Sequence, residues 1–245
     1  MDSGGKAKIY YASIVYRTPE AEHMRCLIQL LKLRPMAFET YYNDALITRA
    51  RSIAASDFLR SDKDVLLMID GDILFNAEQA LQVCDQALTH DVVVGQYVTR
   101  NMGRCFPTSY QPIGTTIAYG IDTTPKPVDY GATGFMAIHR RVLEKLSKKL
   151  PLCHPTTLKF YPFFDTGVIK AGGEWIYASE DYMFCRKAKN AGFTVHVNPS
   201  VRLAHFGTHP FVLEDMARGL TKPQPMKLTL TDGNKWDIEM GGTRE

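Results

Sequence analysis

One apolar run stands at the centre of the hydrophobic pattern of the chain. The five residues from Val65 to Ile69 are all apolar, which is typical of a strand buried on both faces in a parallel sheet covered by helices. Asp70, Gly71 and Asp72 follow directly. Side chains two residues apart in an extended segment project to the same side, so the two carboxylates can converge. Because they repel each other, this pattern indicates a divalent metal ion between them, Mg²⁺ or Mn²⁺.

The same acidic pair allows a second interpretation. Asp-Gly between two apolar segments is also a signal for the turn of a β-hairpin. In that case Asp70 and Asp72 would close a two-stranded ribbon rather than bind a cation, and both alternatives stay open from these residues alone.

The segments before the central run alternate between strand and helix patterns. Aromatic and β-branched residues predict a first strand over 8–16, and Thr18 and Pro19 predict the start of a helix, with Thr18 as N-cap. A second strand is predicted over 36–42. The apolar stripe of the helix consists of Met24, Leu27, Ile28 and Leu31. Together these elements form a β-α-β unit, which commonly opens a nucleotide-binding sheet.

An arginine lies on the apolar face of the next predicted helix, residues 45–59. Ile47, Ala54 and Phe58 form a stripe at helical spacing, and Arg51 occupies a position within it. A buried guanidinium needs an anion, although a long side chain can also reach solvent. The acidic pair after the following strand, or a substrate phosphate, could supply that anion.

The remaining chain continues the α/β pattern and contains two long irregular segments. Helices are predicted over 77–88, 140–150 and from 180 to Gly192, and strands over 91–97 and 193–197. Segments 99–127 and 151–173 read as functional loops or edge hairpins. Aromatic residues in the second loop form either a local core or a stacking surface: Phe160, Tyr161, Phe163 and Phe164. After residue 207 we expect a helix near 211–218 and a loosely packed end.

Composition narrows the class of protein without defining its partner. The chain has 245 residues, 45% hydrophobic and 22% charged, which suits one α/β domain. A net charge of +3 neither requires nor excludes nucleic acid. No apolar run approaches the roughly 20 residues of a membrane span, and segment 1–7 is polar, so we expect a flexible N-terminus and a soluble cytoplasmic protein without integral membrane association. The five widely spaced cysteines suggest reduced thiols.

A second acidic site opens the predicted helix at residue 180. Ser179 can cap this helix, and acidic residues in a first turn interact favourably with the helix dipole. This explanation suits Glu180 better than Asp181, because Asp181 shares the predicted inward face with Phe184 and Cys185. Asp181 is therefore a candidate functional carboxylate.

Taken in order, these motifs resemble the GT-A class of nucleotide-sugar glycosyltransferases. The sequence is most similar to the small, soluble, family-2-like members of viruses, phages and bacteria. The resemblance covers residues 8–207, which would form one GT-A domain with a Rossmann-like, mostly parallel sheet, and leaves 208–245 as a tail and possible lid. The motifs that carry it are Ala50-Arg51, Asp70-Gly71-Asp72, Gly131-Ala132-Thr133-Gly134-Phe135, Glu180-Asp181-x-x-Phe184-Cys185 and His205-Phe206-Gly207.

The resemblance implies a role for each of these residues. Asp70, Asp72 and His205 would bind Mn²⁺ or Mg²⁺, and the metal would bridge the two phosphates of the donor. Arg51 would lie by the diphosphate or orient the acidic pair. Asp181 would act as the general base of an inverting reaction, with Glu180 beside it. The residues that would bind the nucleotide are Tyr16, Arg17, Thr18, Asp44, Gly71 and Gly134.

The implied activity is transfer of a sugar from a nucleoside-diphosphate sugar, most simply a UDP-sugar, to an acceptor hydroxyl of a glycan, a protein or a modified nucleic acid. One variant has a hydroxymethylated DNA base as acceptor. A haloacid-dehalogenase-type phosphatase also has Asp-x-Asp after an apolar strand, but normally on the first strand of its domain. A non-catalytic sugar- or nucleotide-binding module is the third alternative, for which loss of a metal ligand or base would be expected.

Overall fold

The computed structural model describes residues 5–101, 105–154, 158–171, 173–217, 226–232 and 235–240. Its helices are α1 (Ala21–Leu33), α2 (Ile47–Arg60), α3 (Ala77–His90), α4 (Arg140–Ser147) and α5 (Glu180–Asn190), with a 3-10 helix at Leu213–Ala217. Its strands are β1 (Ile9–Val15), β2 (Ala37–Tyr42), β3 (Val65–Asp70), β4 (Ile73–Leu74), β5 (Val92–Gly95), β6 (Thr116–Tyr119), β7 (Lys126–Pro127), β8 (Phe135–His139), β9 (Gly167–Ala171), β10 (Glu174–Ala178), β11 (Val195–Asn198), β12 (Ala204–Phe206), β13 (Pro210–Phe211), β14 (Met226–Asp232) and β15 (Lys235–Met240).

A seven-stranded sheet in the order β2-β1-β3-β8-β5-β11-β7 forms the centre of the molecule. β1, β2, β3, β5 and β11 run in one direction, and β7 and β8 run in the other. The predicted α/β class with a mostly parallel central sheet is therefore confirmed. Because β1, β2 and β3 are parallel neighbours, the residues that follow them meet at one edge of the sheet.

The central apolar run is buried on both faces, as predicted. Leu66 and Met68 pack in the core on the side of α2, α4 and α5, whereas Val65, Leu67 and Ile69 pack in the core on the side of α1 and α3. Alternation along the strand divides its side chains between these two layers. Within the described residues, no helix combines the length and the apolar character needed to cross a membrane.

The acidic pair after this run does not form the turn of a hairpin. β3 pairs with β1 and β8 in the central sheet, whereas β4 pairs with β12 in a separate three-stranded sheet. Asp70 thus ends one strand, and the chain then passes to another sheet through Gly71 and Asp72.

Helix α1 differs from its prediction in start and in inward face. It begins at Ala21 rather than after Thr18, because the Glu20 N–H donates to the Gly71 carbonyl at 2.9 Å and holds the preceding loop against the end of β3. Its buried residues are His23, Leu27 and Leu30, whereas Met24 and Ile28 are 38% and 49% exposed. The inward position of His23 follows from its contacts: Nδ1 lies 2.9 Å from the Ile73 carbonyl, and Nε2 lies 2.9 Å from the Tyr11 hydroxyl.

The aromatic loop before β9 forms a local core. Phe163 and Phe164 are buried, and the ring of Phe164 stacks on that of Phe184 at 4.5 Å between centroids. The Ser52 hydroxyl, on α2, donates to the Phe164 carbonyl at 3.2 Å. These contacts favour the first of the two interpretations for Phe163 and Phe164, whereas Phe160 and Tyr161 are only half-buried.

The described residues near both ends of the chain are more firmly packed than we expected. Residues 1–4 of the predicted flexible segment lie outside the described residues, but Ala7 is buried and its N–H donates to Asp85 Oδ1 at 2.9 Å. In place of a helix near 211–218 there is the short 3-10 helix, and residue 218 is not described. β14 and β15 form a hairpin that adds to β6 and buries Met226 and Leu228 in the main core. The end is packed because its apolar residues alternate with polar ones.

Candidate functional site

A cavity of about 530 Å³ lies where β1, β2 and β3 end at their carboxyl edge. Most of the site residues that the sequence predicts line it: Tyr16, Arg17, Thr18, Asp44, Asp70, Gly71, Asp72 and His205. Ligand sites in open α/β sheets lie at this edge because the loops that follow parallel strands surround it. The other lining residues, which the sequence did not predict, are Ile14, Val15, Glu20, Tyr41, Ala45, Ile47, Ala50 and Arg100.

The loops after β1 and β2 form one wall of the cavity. Tyr16 is 64% exposed, and the guanidinium of Arg17 lies 5.6 Å from the centre of its ring. Asn43, in the left-handed region with φ of 58°, donates its N–H to the Tyr16 carbonyl at 3.2 Å and joins the two loops. Asp44 accepts from Arg49 Nη2 at 2.7 Å, and this pairing holds the pKa of the Asp44 carboxyl below its ordinary value.

Gly71 brings the loop after β3 into contact with the loop after β1. Its N–H donates to the Ile14 carbonyl at 3.0 Å. A Cβ atom at this position would lie 2.8 Å from Val15 Cγ2, closer than real Cβ contacts allow. The absence of a side chain at Gly71 is therefore what lets the acidic pair approach β1 so closely.

Asp72 lies in the cavity between two basic side chains. Its Oδ2 is 2.8 Å from Arg100 Nη1 and 3.5 Å from His205 Nε2. Burial acts to raise the pKa of Asp72, but the imidazole of His205 and then the guanidinium of Arg100 outweigh burial and keep that pKa below its ordinary value. Asp72 is therefore ionised at neutral pH.

The ring of His205 is held with one nitrogen facing Asp72. Its Nδ1 lies 2.9 Å from the Val98 carbonyl, which can only accept, so Nδ1 carries a proton. Tyr97 packs edge-on against the ring at 5.2 Å, and the Phe206 N–H donates to the Asp72 carbonyl at 2.7 Å. When the ring is neutral, Nε2 therefore presents a lone pair to the carboxylate of Asp72. This contact is favourable only when a cation, either a proton or a metal ion, lies between the two groups.

A buried arginine joins Asp70 to the first turn of α5. Arg51 Nη2 donates to Asp70 Oδ2 at 2.8 Å, and Arg51 Nη1 donates to Glu180 Oε1. The Arg51 side chain is only 4% exposed, which confirms that it occupies the core face and has carboxylates as its anions. Burial raises the pKa of Glu180, and the positive charge of Arg51 only partly offsets this effect.

The two acidic residues of α5 have the reverse of the expected environments. Glu180 makes the long-range contact with Arg51, whereas Asp181 Oδ1 accepts hydrogen bonds from the Ser179 hydroxyl and from the Tyr182 N–H within its own helical turn. The helix-terminus explanation therefore describes the Oδ1 contacts of Asp181 better than it describes Glu180. Both residues lie outside the lining of the cavity.

Gly134 supports the acidic pair from behind rather than lining the cavity. Its carbonyl accepts from the Asp70 N–H at 3.1 Å, and its own N–H donates to the Tyr97 hydroxyl at 3.1 Å. A Cβ atom here would lie 2.4 Å from the Tyr97 hydroxyl oxygen. The close approach at this glycine is therefore to a tyrosine side chain.

The donor atoms at this edge suit a hard divalent cation that shares its shell with a ligand. Asp70 Oδ1 is buried and has no hydrogen-bond partner among the described residues, and His205 Nε2 offers a lone pair beside Asp72. No three acidic, imidazole or thiol groups of the described residues come close enough to enclose a metal by themselves. Mg²⁺ typically binds to one or two carboxylates and completes its shell with substrate phosphates and water, so the residues fit such an ion.

Comparison with known proteins finds similarity in structure rather than in sequence. The sequence matches no protein-family model, and no curated protein is similar to it in sequence. Comparison with solved structures finds chains that share its α/β fold.

Among these structures is A197 from STIV, with a TM-score of 0.52, 16% identity and 97% coverage of both chains. GalNAc-T7, solved with UDP, GalNAc and Mn²⁺, has a TM-score of 0.45 and 15% identity; the similarity covers 81% of this chain and 44% of that one. TarS from S. aureus, in complex with UDP-GlcNAc, has a TM-score of 0.44 and 12% identity, with 88% and 62% covered.

Proposed function

We propose that the protein transfers a sugar from a nucleoside-diphosphate sugar, with UDP-sugars as the first candidates, to an acceptor hydroxyl. The observation that carries this proposal is the convergence, in one cavity, of Asp70, Asp72 and His205 with the loops that follow β1 and β2. Carboxylates and an imidazole suit a cation on a diphosphate, and the adjoining wall offers an aromatic ring and a carboxylate for a base and a ribose.

Each wall of the cavity has its own part in binding the donor. Tyr16, Arg17 and Thr18 would contact the nucleotide base, and Asp44 would accept hydrogen bonds from the ribose hydroxyls. Arg100 lies by Asp72 and is 46% exposed, so it can turn from that carboxylate to a phosphate oxygen without unfolding any element. Arg100 would then add a positive charge where the leaving diphosphate gains negative charge.

Asp72 and His205 would supply ligands to the divalent cation, Mn²⁺ or Mg²⁺, and Asp70 would supply a further carboxylate at the same edge. Such an ion, when bound, neutralises the charge that develops on a departing nucleoside diphosphate. The chain orients these ligands in advance. Arg51 fixes Asp70 through Oδ2 and leaves Oδ1 without a hydrogen-bond partner among the described residues, and the Val98 carbonyl orients the ring of His205.

A carboxylate of α5 would accept the proton of the attacking hydroxyl. We assign this role to Asp181, because the hydrogen bonds from Ser179 and Tyr182 engage Oδ1 and so orient the group, leaving Oδ2 to receive the proton. Glu180 would position Arg51. General base catalysis typically contributes about 10²–10⁴-fold, and a base opposite the leaving group leads to inversion at the anomeric carbon.

Release of nucleoside diphosphate tests the proposal directly. The purified protein is incubated with Mn²⁺ and a panel of UDP- and GDP-sugars, and release is measured for wild type, Asp72→Asn and Asp62→Asn. We expect release that needs the metal and is lost in Asp72→Asn. Asp62 is 75% exposed in the turn before β3, so Asp62→Asn should match wild type.

Two other results of this assay would replace the proposal. Phosphate release from sugar phosphates, without nucleotide release, would indicate the phosphatase. Binding of a nucleotide sugar with no release for any acceptor, including hydroxymethylated DNA, would indicate the non-catalytic module.

Variants of α5 test the assignment of the base. Asp181→Asn should bind donor as wild type does while turnover falls at least about a hundredfold. If turnover is unchanged, Asp181 serves only the end of its helix. NMR of the anomeric proton of the first product then shows whether the reaction inverts.

A further inference from the structure

The hairpin of β9 and β10 carries an exposed apolar face that the proposed donor site does not use. Val168, Trp175 and Tyr177 are 63%, 72% and 71% exposed, the two rings being among the most exposed large apolar side chains of the described residues. An exposed apolar patch of a few hundred Å² on a monomer commonly marks an interaction site.

Pairing between the two strands places these side chains on one surface. Trp175 lies opposite Lys170, and Tyr177 lies opposite Val168, in an antiparallel register. Because alternate residues of a strand point to the same side, Trp175 and Tyr177 share a face with both of their partners. Lys170 Nζ lies 5.8 Å from the centre of the Trp175 ring. We call these four residues the aromatic face.

The aromatic face adjoins the carboxylates of α5. Gly167, at the base of the hairpin, packs so closely on α5 that a Cβ atom would lie 2.7 Å from Met183 Cε. Ala178 is buried, and the chain reaches Glu180 three residues after Tyr177. Glu180 in turn contacts Arg51, which binds Asp70. The hairpin is thus anchored to the helix that carries the proposed base.

We infer that the aromatic face is the docking surface for the acceptor, and that the acceptor is a neutral glycan. This inference rests on the proposed function and adds to it a substrate class and a location. Flat aromatic rings cover the apolar C–H faces of pyranose rings, and the tyrosine hydroxyl and lysine ammonium at the margin can bind sugar hydroxyls. A glycan seated there would extend toward the first turn of α5.

The size of the aromatic face disfavours a second copy of the chain as its occupant. An aromatic side chain can bury about 150–250 Å², so two rings at these exposures and one valine present roughly 400 Å². Each partner of a stable complex contributes about 800 Å². The aromatic face supplies half of that area, which suits one or two sugar rings.

The charge of the hairpin disfavours nucleic acid. Binding to phosphates requires clustered cations and shows a strong dependence on salt. β9 and β10 carry one basic and one acidic side chain, Lys170 and Glu174, so these two strands offer no cluster of cations. An uncharged ligand matches this balance.

Fluorescence of Trp175 tests the inference without donor or metal. The chain has two tryptophans, so Trp236→Phe leaves Trp175 as the only indole. We expect chitotetraose, maltohexaose or mannotetraose to shift its emission to shorter wavelength, with saturation. Tyr177→Ala in the same background should weaken this binding about tenfold or more. Phe38→Ala removes a ring that is 54% exposed on β2, and should leave binding unchanged.

Kinetics then connect the aromatic face to transfer. Trp175→Ala should raise the KM for an acceptor glycan about tenfold or more, while nucleotide release in the absence of acceptor stays at the wild-type rate. Failure of wild type to release any nucleotide would count against the proposed function alone, since sugar binding is measured separately.

Three results would overturn the inference: no saturable shift with any sugar of the panel, equal effects of Tyr177→Ala and Phe38→Ala, or a different occupant. Sedimentation that shows a dimer dissociated by Trp175→Ala would identify a second copy. Salt-sensitive binding of labelled single-stranded DNA that Trp175→Ala abolishes would identify nucleic acid.

Discussion

Replacement of Arg51 by methionine should destabilise the protein by about 3–5 kcal/mol, the usual cost of removing one partner from a buried ion pair. The Arg51 side chain is 4% exposed, and its partners Asp70 and Glu180 are 20% and 13% exposed. At about 4 Å between charge centres, each pair contributes about 4 kcal/mol at an effective dielectric of about 20, before desolvation. Methionine preserves the apolar stem, so the loss reports on charge. The melting temperature should fall by roughly 6–20 °C, at about 2–4 °C per kcal/mol.

Urea unfolding of three variants measures this effect. Arg49→Met, on the same helix, removes an arginine that is 41% exposed and paired with Asp44, and should destabilise the protein far less than Arg51→Met does, because solvent screens this pair. Adding Glu180→Gln to Arg51→Met removes one of the uncompensated carboxylates and should restore about 1–3 kcal/mol. The buried charge network does not stabilise this site if Arg51→Met lowers the free energy of unfolding no more than Arg49→Met does. The same conclusion follows if adding Glu180→Gln lowers it further.

Three further predictions concern buried residues of the fold. Burial lowers the pKa of His23 below its ordinary 6.5, so just below that pH the imidazole takes up a proton only in the unfolded chain. The free energy of unfolding should therefore fall with decreasing pH, by up to about 1.4 kcal/mol per pH unit. Urea titrations at pH 7 and pH 5 should show a smaller pH dependence for His23→Gln than for wild type. Gly71→Ala should lower the free energy of unfolding by about 1–3 kcal/mol and weaken nucleotide binding, because its Cβ would press on Val15. Calorimetry should show that adding Val15→Ala restores stability, and no recovery would refute the close contact. Leu228→Ala should lower the free energy of unfolding by about 2–5 kcal/mol, and Lys227→Ala should leave it almost unchanged, as thermal unfolding can measure. Equally small effects of the two variants would mean that β14 is loosely packed.

The sequence predicts the central sheet and the position of the acidic pair because both depend on simple periodicity, whereas the residues of the loops after β1 and β2 were named only through the resemblance. A run such as Val65 to Ile69 is typical of a strand that is covered on both faces, and parallel strands bring their following loops to one edge whatever the details of packing. Arg51 was recognisable because a charge on an apolar stripe requires an anion, and that anion proved to be two carboxylates.

The features that the sequence did not predict depend on contacts between distant residues or, in one case, on an alternation of apolar and polar residues that was not recognised as a strand. Arg100 lies in the irregular segment after β5, and nothing beside it indicates that it would contact Asp72. His23 interrupts an apolar stripe because Tyr11 and Ile73 supply its hydrogen bonds. For β14 a signal was present: Met226, Leu228 and Leu230 alternate with polar residues, a period of two typical of a half-buried strand.

The bond between the Phe206 N–H and the Asp72 carbonyl joins residues that are synthesised far apart in time. A ribosome that has completed β4 has made both aspartates, yet the imidazole of His205, which lies beside Asp72, emerges much later. Contacts of such long sequence separation close slowly, since the intervening loop must be ordered first. On the proposed function, nascent chains should therefore acquire affinity for a nucleotide only after His205 has emerged.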